Sequence, residues 1–104
     1  MGEGRRAILI TGASAGIGAA LARVCAARGH DVILTARREG PLNALAEELA
    51  AAHGVAATVV AADLAEPEAP ARLVETIAAR GLNVDGLINN AGFSRTTGFL
   101  ATDP

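Results

Sequence analysis

The 104-residue chain contains no tyrosine, no tryptophan and no lysine; all nine of its basic residues are arginine. A reaction that needs a tyrosine hydroxyl or a lysine amine cannot be carried by these residues alone. The two aromatic side chains, Phe93 and Phe99, are too few to build a base-stacking platform. The single cysteine, Cys25, excludes an internal disulfide, and no Cys/His cluster has zinc-ligand spacing, so no metal site is expected. The net charge of −2 gives no basic surface, so neither nucleic acid nor anionic membrane is expected as a partner. Only four apolar residues, Ala7 to Ile10, follow the polar start, too few for a signal-peptide core or a membrane span. Gly2 sits where a myristoylation start would place it, but Arg6 stands where Ser or Thr is needed. The expectation is a soluble, cytoplasmic chain. With 51% apolar residues it is rich enough to fold, and its length suits one domain or part of one.

What is present alternates between strand and helix patterns. Ala7-Ile8-Leu9-Ile10 is a continuous apolar run, as in a parallel strand buried on both faces. A glycine-rich turn runs from Thr11 to Gly18, and Ile17, Leu21, Val24 and Cys25 then recur at helical spacing, with Gly29 as the stop. Asp31 to Thr35 reads as the second strand. Leu42, Leu45, Ala46, Leu49 and Ala52 form the next helical stripe, with Pro41 suited to its first turn and Gly54 to its end. Val55 to Ala62 reads as the third strand. Leu73, Val74 and Ile77 give the buried face of a third helix limited by Pro67, Pro70 and Gly81, and Val84 to Ile88 reads as the fourth strand. This alternation predicts βαβ units, and right-handed crossovers make the sheet parallel and doubly wound. Asp103-Pro104 looks like the start of another helix, and the fourth strand would be an open apolar edge. The chain is therefore expected to be incomplete at its C-terminus, its sheet truncated after the fourth strand.

The strongest chemical signal is Thr11-Gly12-Ala13-Ser14-Ala15-Gly16-Ile17-Gly18, set between an apolar strand and an amphipathic helix. A helix N-terminus offers unpaired N–H groups and the positive end of the dipole, which suits a pyrophosphate. Gly12 permits the tight turn, Gly16 lets phosphate oxygens reach the backbone, and Gly18 lets helix and strand pack closely. A glycine-rich strand-helix turn with no ligand is the alternative.

These residues resemble the Thr-Gly-x-x-x-Gly-x-Gly motif of the classical short-chain dehydrogenases/reductases. Ala62-Asp63-Leu64 is similar to the family's adenine-contacting Asp-Leu, and Asn89-Asn90-Ala91-Gly92 matches its Asn-Asn-Ala-Gly motif in full. The resemblance implies a Rossmann-type dinucleotide-binding domain over residues 1–104. It implies that Ser14 and the backbone around Ile17 meet the phosphates and adenosine ribose. Asp63 would accept from the adenine amino group while the Leu64 backbone reads the ring nitrogen. Asn90, Ala91 and Gly92 would line the ribose side and brace the sheet against Thr11. Asp63 also suits a helix cap, a role compatible with the first, and Asn89-Asn90 also suits a polar turn.

The end of the second strand bears on the choice of cofactor. About twenty residues past the glycines an NAD enzyme places Asp or Glu against the ribose 2′-hydroxyl. Here Ala36 holds that place, followed by Arg37 and Arg38. A guanidinium favours a 2′-phosphate, so NADP is expected rather than NAD. The resemblance agrees, since an Arg at this point marks the NADP-preferring members. A solvated helix entry is the alternative role, and it suits Arg38 better than Arg37. His30 and His53 read as helix-end residues, Cys25 as a small core residue, and Ser94 as a loop serine with no partnered base.

The family's chemistry uses a Tyr acid/base and a Lys four residues later. Neither exists here, so no catalytic residue is assigned. The expected function is the NADP(H)-binding portion of an enzyme that interconverts an alcohol and a carbonyl by hydride transfer. The substrate groups and oligomer-forming helices would then lie in a further half. The rival expectation is a stand-alone nucleotide-binding module without activity.

Overall fold

The computed structural model describes residues 7–14 and 16–89. The elements run β1 (Ala7–Thr11), α1 (Gly16–Ala27), β2 (Asp31–Thr35), α2 (Glu39–His53), β3 (Ala57–Val59), α3 (Ala69–Ala79) and β4 (Val84–Asn89). They form one parallel sheet in the order β3-β2-β1-β4. The crossover from β3 to β4 passes both inner strands, which makes the sheet doubly wound, as the alternating sequence pattern predicts.

Strand alternation divides the core between two faces. Ile8, Ile10, Val32, Leu34 and Ile88 pack with α1 and α2. Leu9, Ile33, Val60 and Leu87 pack with Leu73 and Ile77 of α3. β2 is buried at every position, which explains its unbroken Val-Ile-Leu run. Arg23 on α1 donates from Nε to Glu48 Oε2 of α2 at 2.7 Å, tying the two helices at their solvent side. The pair holds the Glu48 carboxyl below the usual carboxylate range.

The first helical stripe departs from expectation. Cys25 is buried, but Ile17 is 68% exposed and Val24 49%, while Leu21 is only half-buried. Gly18, Ala19, Ala22 and Ala26 face the sheet instead. Small residues let the helix axis approach the strands closely, so residue size chose the packed flank over hydrophobicity. Ala52 of α2 and Val74 of α3 are likewise exposed, whereas Leu42, Leu45, Leu49, Leu73 and Ile77 are buried as expected. β3 is shorter than the predicted 55–62. Its backbone nonetheless keeps pairing with β2 beyond the strand, through Val60 N–H to Leu34 O at 3.0 Å and Ala62 N–H to Ala36 O at 2.9 Å. β4 extends one residue past the predicted end, to Asn89, and a register shift between Ala7 and Ile8 accommodates the polar Asp85-Gly86 pair.

Candidate functional site

The carboxyl ends of β1, β2 and β4 lie side by side; the glycine turn follows β1, Ala36-Arg37 follow β2, and Asn89 closes β4. Register places Thr11 between Thr35 and Asn89. All three point to the α3 side of the sheet, because Leu9, Ile33 and Leu87, two residues earlier on each strand, do so. Thr11 Oγ1 donates to Asn89 Oδ1 at 2.9 Å. Asn89, the first asparagine of the Asn-Asn-Ala-Gly run, thus takes part in bracing Thr11. Asn90, Ala91 and Gly92, to which that role was assigned, lie outside the described residues, as do Ala15, Ser94 and the Asp103-Pro104 end.

From Thr11 the chain turns through Gly12, at φ 65°, and Gly16, at φ 63°. Side chains strain both conformations, which is why glycine serves there. A Cβ built on Gly16 meets nothing within 4 Å, so the backbone faces open space on that side. The turn is fixed from below by Ala13 N–H donating to Thr35 O at 3.1 Å. Ser14 is half-buried in it, Gly18 is buried against the sheet, and Ile17 projects outward at the start of α1. The first turn of α1 carries no acidic residue, so the helix's own first turn does not offset its positive end.

β2 delivers Ala36 and then Arg37 next to this turn. Arg37 and Arg38 are exposed, and among the described residues neither side chain has an ion-pair partner. Arg38 is the N-cap residue of α2, with φ −107° and ψ 125°, and its side chain does not cap the helix. It thus occupies the helix entry, while Arg37 is left projecting at the strand end.

Asp63 and Leu64 follow the β3 segment. The Asp63 carboxylate accepts from Ala65 N–H at 3.1 Å, and its carbonyl accepts from Glu66 N–H at 3.0 Å. Asp63 therefore caps a turn ahead of α3, and not the helix, whose N-cap is Glu68. Leu64 packs against the α3-side core and so anchors this turn. A shallow recess of about 290 Å³ lies between Val60–Asp63 and α3, with Leu73 in its lining. Neither the glycine turn nor Arg37 borders it. The ledge across the strand ends is separate from this recess and lies where open α/β sheets generally bind ligands.

Burial pushes the Cys25 thiol pKa up, against a weaker opposing effect of Arg28, which suits an inert core thiol. His53 is the last residue of α2, and the helix closes on Gly54 at φ 70°. Among the described residues no group of His, Cys, Asp or Glu is placed to hold a metal. No helix among them is long and apolar enough to cross a membrane. Thr35 was missed by sequence reading. Its only signal was a polar residue closing an otherwise apolar strand.

Comparison with known proteins bears on the whole arrangement. Residues 6–104 match the family described as short chain dehydrogenase. An uncharacterized oxidoreductase of Mycobacterium tuberculosis is 41% identical over 95 residues, covering 90% of this chain and 35% of that protein. The A-factor type gamma-butyrolactone 1'-reductase (1S-forming) of Streptomyces virginiae is 43% identical over 101 residues, covering 95% and 39%. Among solved structures, a short-chain dehydrogenase from Sphingobium yanoikuyae in complex with NADPH aligns at a TM-score of 0.75 and 44% identity, over 91% of this chain and 37% of that one. L-sorbose reductase from Gluconobacter frateurii, complexed with NADPH and L-sorbose, aligns at 0.77 and 36% identity, over 94% and 36%. The chain thus spans little more than a third of the length of these relatives. With the family match over residues 6–104 and the Rossmann-type sheet, the chain belongs to the short chain dehydrogenase family.

Proposed function

We propose that this chain is the NADP(H)-binding portion of a short-chain dehydrogenase/reductase whose whole polypeptide interconverts an alcohol and a carbonyl by hydride transfer. The observation that carries the proposal is the pairing of an anion-ready helix end with an unpaired guanidinium on one ledge. Gly16 leaves the N-terminus of α1 open to a pyrophosphate, and Arg37 projects beside it. The relatives complexed with NADPH agree with that choice of cofactor.

The chain's own residues divide the work of binding. Gly12, Gly16 and Gly18 shape the phosphate turn, and Ser14 and the Ile17 backbone contact the phosphates and ribose. Arg37, with Arg38 behind it, holds the 2′-phosphate and disfavours NAD by leaving the 2′-hydroxyl without a carboxylate partner. Asp63 and the Leu64 backbone read the adenine edge. Asn90, Ala91 and Gly92 line the ribose side. When bound, the dinucleotide supplies the hydride acceptor or donor. The chain has no Tyr or Lys to exchange a proton with substrate, so it binds without catalysing. In this proposal residues 1–104 make one dinucleotide-binding unit. A small alcohol or carbonyl, homo-oligomer formation and cytoplasmic residence belong to the whole polypeptide.

Calorimetric titration with NADPH, run beside a nicotinamide absorbance assay on a panel of alcohols and ketones, tests the proposal. It expects binding of NADPH and no turnover. Turnover by this chain alone would show that another residue does the acid/base work, and absence of binding would remove the cofactor role.

A further inference from the structure

Thr35 closes β2 with its side chain fully buried, at 0% exposure, and its Oγ1 has no hydrogen-bond partner among the described residues. A buried hydroxyl left unpaired is costly, and valine would fill the same volume without that cost. Three features place this hydroxyl at the centre of the strand-end ledge. Its register partner Thr11 lies on the same sheet face, and the Thr11 hydroxyl donates on the β4 side, to Asn89 Oδ1 at 2.9 Å with Ile88 O at 3.5 Å. Toward Thr35, Thr11 can therefore act only as an acceptor, while the Thr35 proton has no acceptor. The Thr35 carbonyl holds Ala13 of the glycine turn at 3.1 Å. Two residues on stands Arg37. A dinucleotide seated on the turn and on Arg37 would grip the chain on both sides of Thr35.

We propose that Thr35 is a positioning residue of the nucleotide site. When the ligand draws the turn and the end of β2 together, the Thr35 hydroxyl donates to Thr11 Oγ1 and completes a chain from Thr35 through Thr11 to Asn89. Being fully buried, Thr35 touches no part of the ligand; it acts by fixing the spacing of the strand ends. The proposal rests on the nucleotide-binding reading, and it adds a residue that the motifs do not name.

The test compares the wild-type chain with Thr35→Val and Thr35→Ser by thermal unfolding and NADPH titration. Thr35→Val removes an unpaired hydroxyl from the free chain, so its melting temperature rises by about 4–8 °C. It also removes the bond formed on binding, so the NADPH dissociation constant rises about five- to tenfold. Thr35→Ser keeps the hydroxyl and restores the wild-type affinity. A purely structural role would move stability and affinity in the same direction. Unchanged affinity in Thr35→Val, a lower melting temperature in that variant, or failure of serine to rescue would each overturn the proposal. Failure of the wild-type chain to bind NADPH would overturn the nucleotide reading itself, and the wild-type titration alone reports it.

Discussion

Thr11 Oγ1 donates to Asn89 Oδ1 across 2.9 Å, joining residues 78 positions apart in the chain. The bond ties the ends of β1 and β4 at the point where both leave the sheet. Thr11→Val leaves the Asn89 carbonyl oxygen without this donor in a part-buried place. The variant is expected to lose about 1–2 kcal/mol of stability in urea unfolding. An unchanged midpoint would mean that the bond contributes nothing to holding β4.

Two glycines separate strain from ligand access. Gly16 and Gly54 have φ of 63° and 70°, and a Cβ on either meets nothing within 4 Å. Alanine at each position is expected to cost about 1–2 kcal/mol, all of it backbone strain. Only Gly16→Ala should also weaken NADPH binding, because only that Cβ would stand in the proposed phosphate approach. Equal affinities in the two variants would detach Gly16 from the cofactor.

The packing of α1 gives a third expectation. Ala22 is wholly buried against the sheet, whereas Ile17 projects into solvent. Ala22→Leu is expected to destabilise by about 1–3 kcal/mol through overpacking. Ile17→Ala should stay within about 0.5 kcal/mol. The reverse ranking would return Ile17 to the core.

Cys25 gives the pH dependence. Its thiol pKa is raised in the fold, chiefly by burial. The contribution is fully present below the ordinary thiol value of 9.0 and is lost as pH rises through the higher folded value. Urea midpoints of the wild-type chain should therefore fall more steeply above that pH than those of Cys25→Ala. Parallel slopes would show a thiol with no perturbation.

The parts legible in the sequence were those fixed by local pattern. β2 announced itself because a strand buried on both faces must be apolar throughout, and Asp31 to Thr35 is the observed span. The glycine turn was legible because positive φ selects glycine. α1 was legible as a helix but not in its orientation: period 3.6 marks a stripe, yet the choice between Ile17-Val24 and Ala19-Ala22 depends on how closely the sheet approaches. The alternative role of Asp63, a helix cap, falls instead on a preceding turn, since a capping side chain does not reveal how far its helix lies downstream. Thr35 stayed hidden because its environment is set by the register of β1 against β2, which no local pattern encodes.

The most direct test of the central claim is the ratio of NADPH to NADH affinity in the wild-type chain and in Arg37→Ala. The account predicts a wild-type preference for NADPH of about ten- to a hundredfold, from one charge-assisted contact of about 1–3 kcal/mol. Arg37→Ala should shrink that preference towards unity while leaving NADH affinity unchanged. A wild-type chain that binds both equally, or a preference that survives loss of Arg37, would contradict the assignment of the 2′-phosphate to this strand end.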